Sequence, residues 1–284
     1  PRELFVPDSG YGISQEQWEA LGDRLGLNDP LWKQYVDWVG RTLRGDLGVS
    51  LARDRAVTEL LRGKIGATVQ LAIGSWIFAI GLGIPMGVLA AVKRGSGWDY
   101  FGRGLAIVGQ AAPPFVTALV AIWIFAVWLE WLPAGGRSPE FNWREYLLPC
   151  MALGWGAAAS LMRLTRSSML EVLDSEYIRL ARAKGVNWNW VIYKHALRNA
   201  LIVPVTSALL TFSGWLNGAL VVEIVFSWPG IGYEALYRAV NDNDFPLLLG
   251  TVFIFILIYL VFATIADIAY TIIDPRVRLG DSAE

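Results

Sequence analysis

Five stretches of this chain carry no Asp, Glu, Lys or Arg: Ile65 to Val92, Gly104 to Leu129, Tyr146 to Met162, Asn199 to Val222 and Phe245 to Ala266. They run to 28, 26, 17, 24 and 22 residues. A helix rising about 1.5 Å per residue needs about 20 apolar residues to cross a hydrocarbon core about 30 Å thick. Four stretches reach that length. The third continues as a helical pattern through Leu164 and Met169, where Arg163 and Arg166 are long enough to snorkel to the interface. With 55% hydrophobic residues and 14 Trp in 284 residues, the chain is expected to be an all-α polytopic membrane protein. The predicted spans are 66–92, 104–131, 147–170, 201–224 and 246–272.

Orientation follows from Lys and Arg, which accumulate in short cytoplasmic loops. One side holds twelve of them: Lys93, Arg94 and Arg103, then Arg163, Arg166, Arg179, Arg182, Lys184, Lys194 and Arg198, then Arg276 and Arg278. The other side's loops hold three: Arg137, Arg144 and Arg238. The loop 171–200 and the tail 274–284 are therefore expected inside the cell, and residues 1–64 outside. Exporting those residues takes a membrane helix. Since the chain opens on Pro1 with no signal peptide, a sixth span is expected ahead of it in the parent protein.

The exported segment reads as two short amphipathic helices. Ser14 to Gln17 precede Trp18, Leu21 and Leu25; Pro30 opens a second pattern through Trp32, Tyr35, Val36, Val39 and Leu43, closed by Gly45 and Gly48. Such helices either lie on the bilayer surface or touch an external carrier of substrate.

Nothing in the sequence predicts chemistry performed by the chain alone. The one histidine is His195, the one cysteine is Cys150 inside a span, and metal-ligand spacings, G-x-S-x-G and the G-x-x-x-x-G-K-[ST] phosphate loop do not occur. No cofactor, metal or nucleic-acid partner is expected. Glu130, Glu223 and Asp267 end apolar stretches, where they can cap or bond neighbouring helices or take part in a gate; Pro229 and Gly230 join Glu223 and Asp267 as gate or structural candidates. Gly74, Gly81, Gly83, Pro85 and Gly87, then Pro113-Pro114, then Gly154 and Gly156 predict close helix packing and bends. Trp98, Trp128, Trp131 and Trp228 flank spans in the manner of an aromatic belt.

The basic loop carries the strongest functional signal. Glu176-Tyr177-Ile178-Arg179-Leu180-Ala181-Arg182-Ala183-Lys184-Gly185, followed by His195-Ala196-Leu197-Arg198-Asn199-Ala200-Leu201, resembles the coupling motif of ABC transporter permeases, in particular the first permease subunit of the dipeptide/oligopeptide/nickel branch. Of the general E-A-A-x-x-x-G pattern, Ala181 and Gly185 stand here. Arg44 to Gly48, Leu164 to Leu173, Phe226 to Gly232 and Asp274-Pro275-Arg276 add matches along nearly the whole chain.

The resemblance implies a type I importer permease fold in the inner membrane. It implies a second, similar permease, two ATP-hydrolysing subunits and an extracytoplasmic binding protein as partners, with peptides, nickel chelates or glutathione-like solutes as cargo. It also implies that Glu176, Tyr177, Ile178, Arg179, Ala181, Arg182, Ala183, Lys184 and Gly185 seat in the ATPase and transmit its closure. An ion-coupled secondary transporter is the alternative, and an intramembrane hydrolase a further rival.

Overall fold

A computed structural model describes residues 29–138, 140–212 and 215–273. The expected helix from Ser14 through Leu25 and the tail 274–284 lie outside these residues. Among them no β-strand forms beyond an isolated bridge between Val49 and Ala56, and the chain folds as a succession of helices. In order these are α1 (Leu31–Leu43), α2 (Val57–Val92), α3 (Gly97–Ala111), α4 (Pro114–Ala121, continued by a π-wound turn Ile122–Trp128), α5 (Trp143–Leu173) and α6 (Glu176–Ala183). After them come α7 (Trp188–Trp190, a π-wound Val191–Ala196 and Leu197–Ala200), α8 (Ile202–Phe212), α9 (Trp215–Val225), α10 (a π-wound Gly232–Tyr237 and Arg238–Asn241) and α11 (Phe245–Ile273).

Helices α2, α5 and α11 are long and apolar enough to cross a membrane, and they contain the predicted spans 66–92, 147–170 and 246–272. The predicted helix 104–131 is not straight. It consists of α3 and the helix from Pro114 to Trp128, bent by 115° at Ala112-Pro113. Consecutive prolines explain the break: Pro113 and Pro114 lack the N–H groups that would bond the carbonyls of Gly109 and Gln110, and Pro113 holds Ala112 extended at ψ 122°. The stretch predicted as 201–224 is occupied by α8 and α9, on either side of two residues outside the description.

The chain divides into two compact units, residues 1–68 with 229–257 and residues 69–228 with 258–284. In the first unit, the segment after α1 is held by a buried carboxylate. Asp244 accepts from the Ser50 hydroxyl, from Leu51 N at 3.3 Å and from Leu247 N at 3.2 Å, so one side chain both fixes the Ser50 turn and caps the start of α11. Arg53 approaches Asp242 at 3.8 Å and Lys64 approaches Glu234 at 3.7 Å. Gly250 on α11 lets Val57 and Leu47 close against it; a Cβ there would lie 2.6 Å from Val57 Cγ1.

In the second unit the small residues pack as their positions predict. A Cβ on Gly83 would lie 2.6 Å from the Ala158 carbonyl, one on Gly87 2.6 Å from the Met162 carbonyl, and one on Gly154 2.6 Å from the Ser75 carbonyl. Three glycines thus bring the backbones of α2 and α5 into contact along two faces. Gly81, by contrast, meets nothing within 4 Å. Trp98, Trp128 and Trp131 are exposed as belt residues are, whereas Trp228 is fully buried and belongs to the core. Its indole packs edge-on to Tyr146 at 4.8 Å, with the Arg137 guanidinium 5.7 Å from its ring. Arg137 also donates to Gln70 at 2.8 Å and to the Tyr146 hydroxyl at 3.0 Å.

Candidate functional site

The eight residues of α6 are too few to hold a helix by themselves, since isolated helices shorter than about 12–15 residues are marginal in water. Packing supplies the stability. Ile178, 1% exposed, enters a cluster made by Ala91 of α2, Met169 of α5 and Val191, Ile192 and Ala196 of α7. Burying an isoleucine contributes about 1.5–3 kcal/mol. A second tie comes from Tyr177, whose hydroxyl donates to the His195 carbonyl at 2.7 Å and accepts from Asn199 Nδ2 at 3.0 Å. Of His195, the main-chain carbonyl is what this tie uses.

The helix ends in a Schellman motif. Gly185 N donates to the Arg182 carbonyl at 2.9 Å and Val186 N to the Ala181 carbonyl at 3.2 Å, with Gly185 at φ +77°. Val186 turns back onto the Ile178 cluster, supplying the apolar contact that accompanies this motif. Only glycine takes the left-handed conformation without cost, so Gly185 is required by the turn itself. A Cβ on it would meet nothing within 4 Å, which leaves the outer side of the turn free for another molecule.

The helix therefore presents one side outward. Glu176, Arg179, Leu180, Arg182, Ala183 and Lys184 are exposed, with Ala181 partly so. Glu176 lies at the positive N-terminus and Arg182 in the last turn, each favourable to the helix dipole. Arg179 pairs with Glu176 at 2.6 Å, but both are exposed and the pair contributes little. Arg182 lies over the Trp188 ring at 5.0 Å, and Lys194 over Trp190 at 4.8 Å. These contacts extend the surface past Gly185. Leu180, Trp188, Trp190 and Tyr193 give it an apolar and aromatic component that a reading of its charges alone misses; Trp190 is 58% exposed. The W-N-W-x-x-Y spacing was the available signal.

A second arrangement close to this surface was not anticipated. Asp99, 1% exposed on α3, receives a bidentate pair from Arg166 of α5, Nε to Oδ1 at 2.7 Å and Nη2 to Oδ2 at 3.0 Å. Gly95 N donates to the same carboxylate at 3.0 Å, and Arg103 stands 3.3 Å away. Arg166 is thus a structural bolt between two helices and does not snorkel. Asp99 was the hidden half of the pair, since a lone acid at a loop edge predicts a solvated cap.

The gate candidates fall into different settings. Glu223, 0% exposed on α9, is enclosed within its unit, and its carbonyl accepts from Trp228 N at 2.8 Å. Asp267 is exposed on α11. Pro229 is partly exposed; Gly230 is buried and its carbonyl starts α10 by accepting from Glu234 N at 3.0 Å.

Apolar helices long enough to cross a membrane, with an exposed basic and aromatic helix on the loop between two of them, fit a membrane protein gripped by a soluble partner. Residues 83–279 match the family of binding-protein-dependent transport system inner membrane components, and the chain belongs to it. It is 39% identical to a peptide permease protein of Brucella suis biovar 1 over 98% of this chain and 89% of that protein. It is 39% identical to the dipeptide transport system permease protein DppB of Alkalihalophilus pseudofirmus, over 95% of this chain and 88% of the relative. To the glutathione transport system permease protein GsiC of Escherichia coli O6:H1 it is 36% identical, over 92% and 84%. In fold it is similar to a chain of the inward-facing MetNI methionine ABC transporter (TM-score 0.63, 18% identity, covering 76% of this chain and 96% of that one). A chain of an amino acid ABC transporter aligns with TM-score 0.55 at 16% identity, over 78% of this chain and 95% of that one.

The chain is thus a permease component of an ABC importer, with relatives named for peptide, dipeptide and glutathione transport and a fold similar to chains of solved ABC transporters. Membership makes it an inner-membrane protein that works with an ATPase and with a binding protein.

Proposed function

We propose that this chain forms half of the translocation path of a peptide importer, beside a second permease and above two ATPases, and that α6 with the first part of α7 is the handle the ATPases grip. The observation that carries the reading is the anchored, outward-facing α6: rigidly tied by Ile178, Tyr177 and the Schellman turn, yet exposing Leu180, Arg179, Arg182 and Lys184. A helix held this way transmits displacement to α2 and α5 without bending. Closure of the ATPases then moves the bundle between outward-open and inward-open arrangements. The cargo class rests on the relatives named for peptides, dipeptides and glutathione.

The proposed topology has residues 1–64 and the loop before α11 outside, with 93–103, 171–200 and 274–284 in the cytoplasm. Contacts support it side by side. Ser50 meets Asp244 and Lys64 meets Glu234 in one unit, while Arg94 meets Asp174 at 3.4 Å and Ala91 packs with Ile178 in the other. Glu223, enclosed in its unit, fits a structural or gating role better than the exposed Asp267.

The test is reconstitution of the purified complex in vesicles with its binding protein and a mixture of neutral di-, tri- and tetrapeptides, reading lumenal peptides by mass spectrometry. ATP-dependent uptake that fails when the ATPases are omitted is the expected result. Uptake driven by an ion gradient without ATP would overturn the proposal in favour of a secondary transporter.

A further inference from the structure

The break between α3 and α4 opens a cavity of about 480 Å³ in the second unit. Gln110, Pro113, Pro114 and Thr117 line one side, and Gly156 and Ser160 of α5 the other. That volume falls within the range of about 300–1,000 Å³ typical of ligand sites. Among the described residues that line it, none is charged.

Three features distinguish this cavity from a packing defect. Irregular backbone at membrane depth is tolerated only where it is buried in protein or lines a water-filled space, and the 115° bend lies in the middle of an apolar stretch that contains no charge from Gly104 to Leu129. Pro113 and Pro114 deprive the carbonyls of Gly109 and Gln110 of their helical donors, and both residues are at the cavity. Finally, Gln110 and Ser160 are exposed polar residues within the charge-free stretches of their helices, a placement that lipid would penalise. Thr117 returns its own hydroxyl proton to the Pro113 carbonyl at 3.1 Å, leaving its oxygen lone pairs toward acceptor duty.

Resting on the peptide-importer reading above, we infer that this cavity is the wall of the path that the moving peptide touches, and that it recognises the peptide through hydrogen-bond acceptors for main-chain N–H groups. Acceptors without charge fit the main-chain N–H groups that peptides carry whatever their side chains. The small side of the cavity, Gly156 with Ala152 and Ala157, leaves room for differing side chains. Such a wall transports many sequences and discriminates weakly among them, so selectivity falls to the binding protein.

The chain's sole cysteine is buried, which provides a clean background for thiol labelling. In the reconstituted complex, Ser160→Cys and Thr117→Cys are treated with a membrane-impermeant methanethiosulfonate, with Leu260→Cys on the exposed apolar face of α11 as reference. Expected are labelling of both cavity variants but not the reference, and loss of peptide uptake to the empty-vesicle level once labelled. Absence of label at both cavity positions in a complex that still takes up peptides would overturn the inference and show that the second permease or lipid fills the space. Labelling that leaves uptake at the unlabelled rate would overturn it equally. If the unsubstituted complex takes up no peptide from the mixture, the peptide reading itself fails, and the assigned ligand class with it.

Discussion

Replacing Ile178 with alanine should undock α6 while leaving the membrane bundle intact. The side chain is 1% exposed among Ala91, Met169, Val191, Ile192 and Ala196, so truncation leaves a cavity that a tight cluster fills poorly. Changes of this type cost about 2–5 kcal/mol. The ties that remain are the Val186 contact at the Schellman turn and the Tyr177 hydroxyl bonds, the latter each contributing about 0.5–1.5 kcal/mol net. A loss of about 3 kcal/mol raises the undocked population about a hundredfold, since about 1.4 kcal/mol is tenfold. The assay is hydrogen exchange by mass spectrometry on the purified complex. Amides from Arg179 to Val186 should exchange about a hundredfold faster, while those of α5 from Leu148 to Met162 keep their rates. Stimulation of ATP hydrolysis by the binding protein should fall in parallel. Unchanged exchange in Arg179 to Val186, or an equal acceleration in α5, would refute the reasoning: the first outcome means that Ile178 is not the anchor, the second that the loss is global.

Other consequences follow from single positions. Gly185→Val forces a branched residue to φ +77°, costing about 1–2 kcal/mol, and should weaken ATPase co-purification while yield of the chain in membranes stays unchanged. On α2, Gly83→Ala drives a methyl to 2.6 Å from the Ala158 carbonyl and should lower thermal stability by about 1–3 kcal/mol, whereas Gly81→Ala meets open space and should be neutral or raise it by about 0.5–1 kcal/mol. Equal effects in a thermal-unfolding assay would contradict the packing described. Asp99→Asn leaves the Arg166 charge half-enclosed and should cost about 3 kcal/mol; adding Arg166→Met should restore part of that loss, and no restoration would speak against the pair as the cause.

Much of this molecule is legible from charge spacing alone, because a residue that must avoid hydrocarbon announces the boundary of a helix. That rule locates α2, α5 and α11 without giving all their limits, since α2 starts at Val57 ahead of Lys64 and α5 runs past Arg163 to Leu173; Gly185 ends α6 for a reason visible in its residue type. The bend at Ala112 is foreshadowed by Pro113-Pro114, though residue types alone do not give its 115° angle. What remained hidden were partnerships between distant residues. Arg166 reads as a snorkelling cation until Asp99 is brought beside it, and Trp228 reads as a belt residue until Tyr146 and Arg137 enclose it. The surface is obscured for the opposite reason, because Trp188, Trp190 and Tyr193 predict burial by residue type and are exposed.

The carboxylate of Asp244 bears on how the protein is made. Ser50 waits for a partner 194 residues further along, so the ribosome must deliver almost the whole membrane region before that turn can settle. Until then the hydroxyl of Ser50 lacks the carboxylate that fixes its turn. Docking at Asp244 therefore comes late in synthesis, and the same carboxylate that settles the turn also caps the last helix, so the two ends of the first unit are fastened in one step.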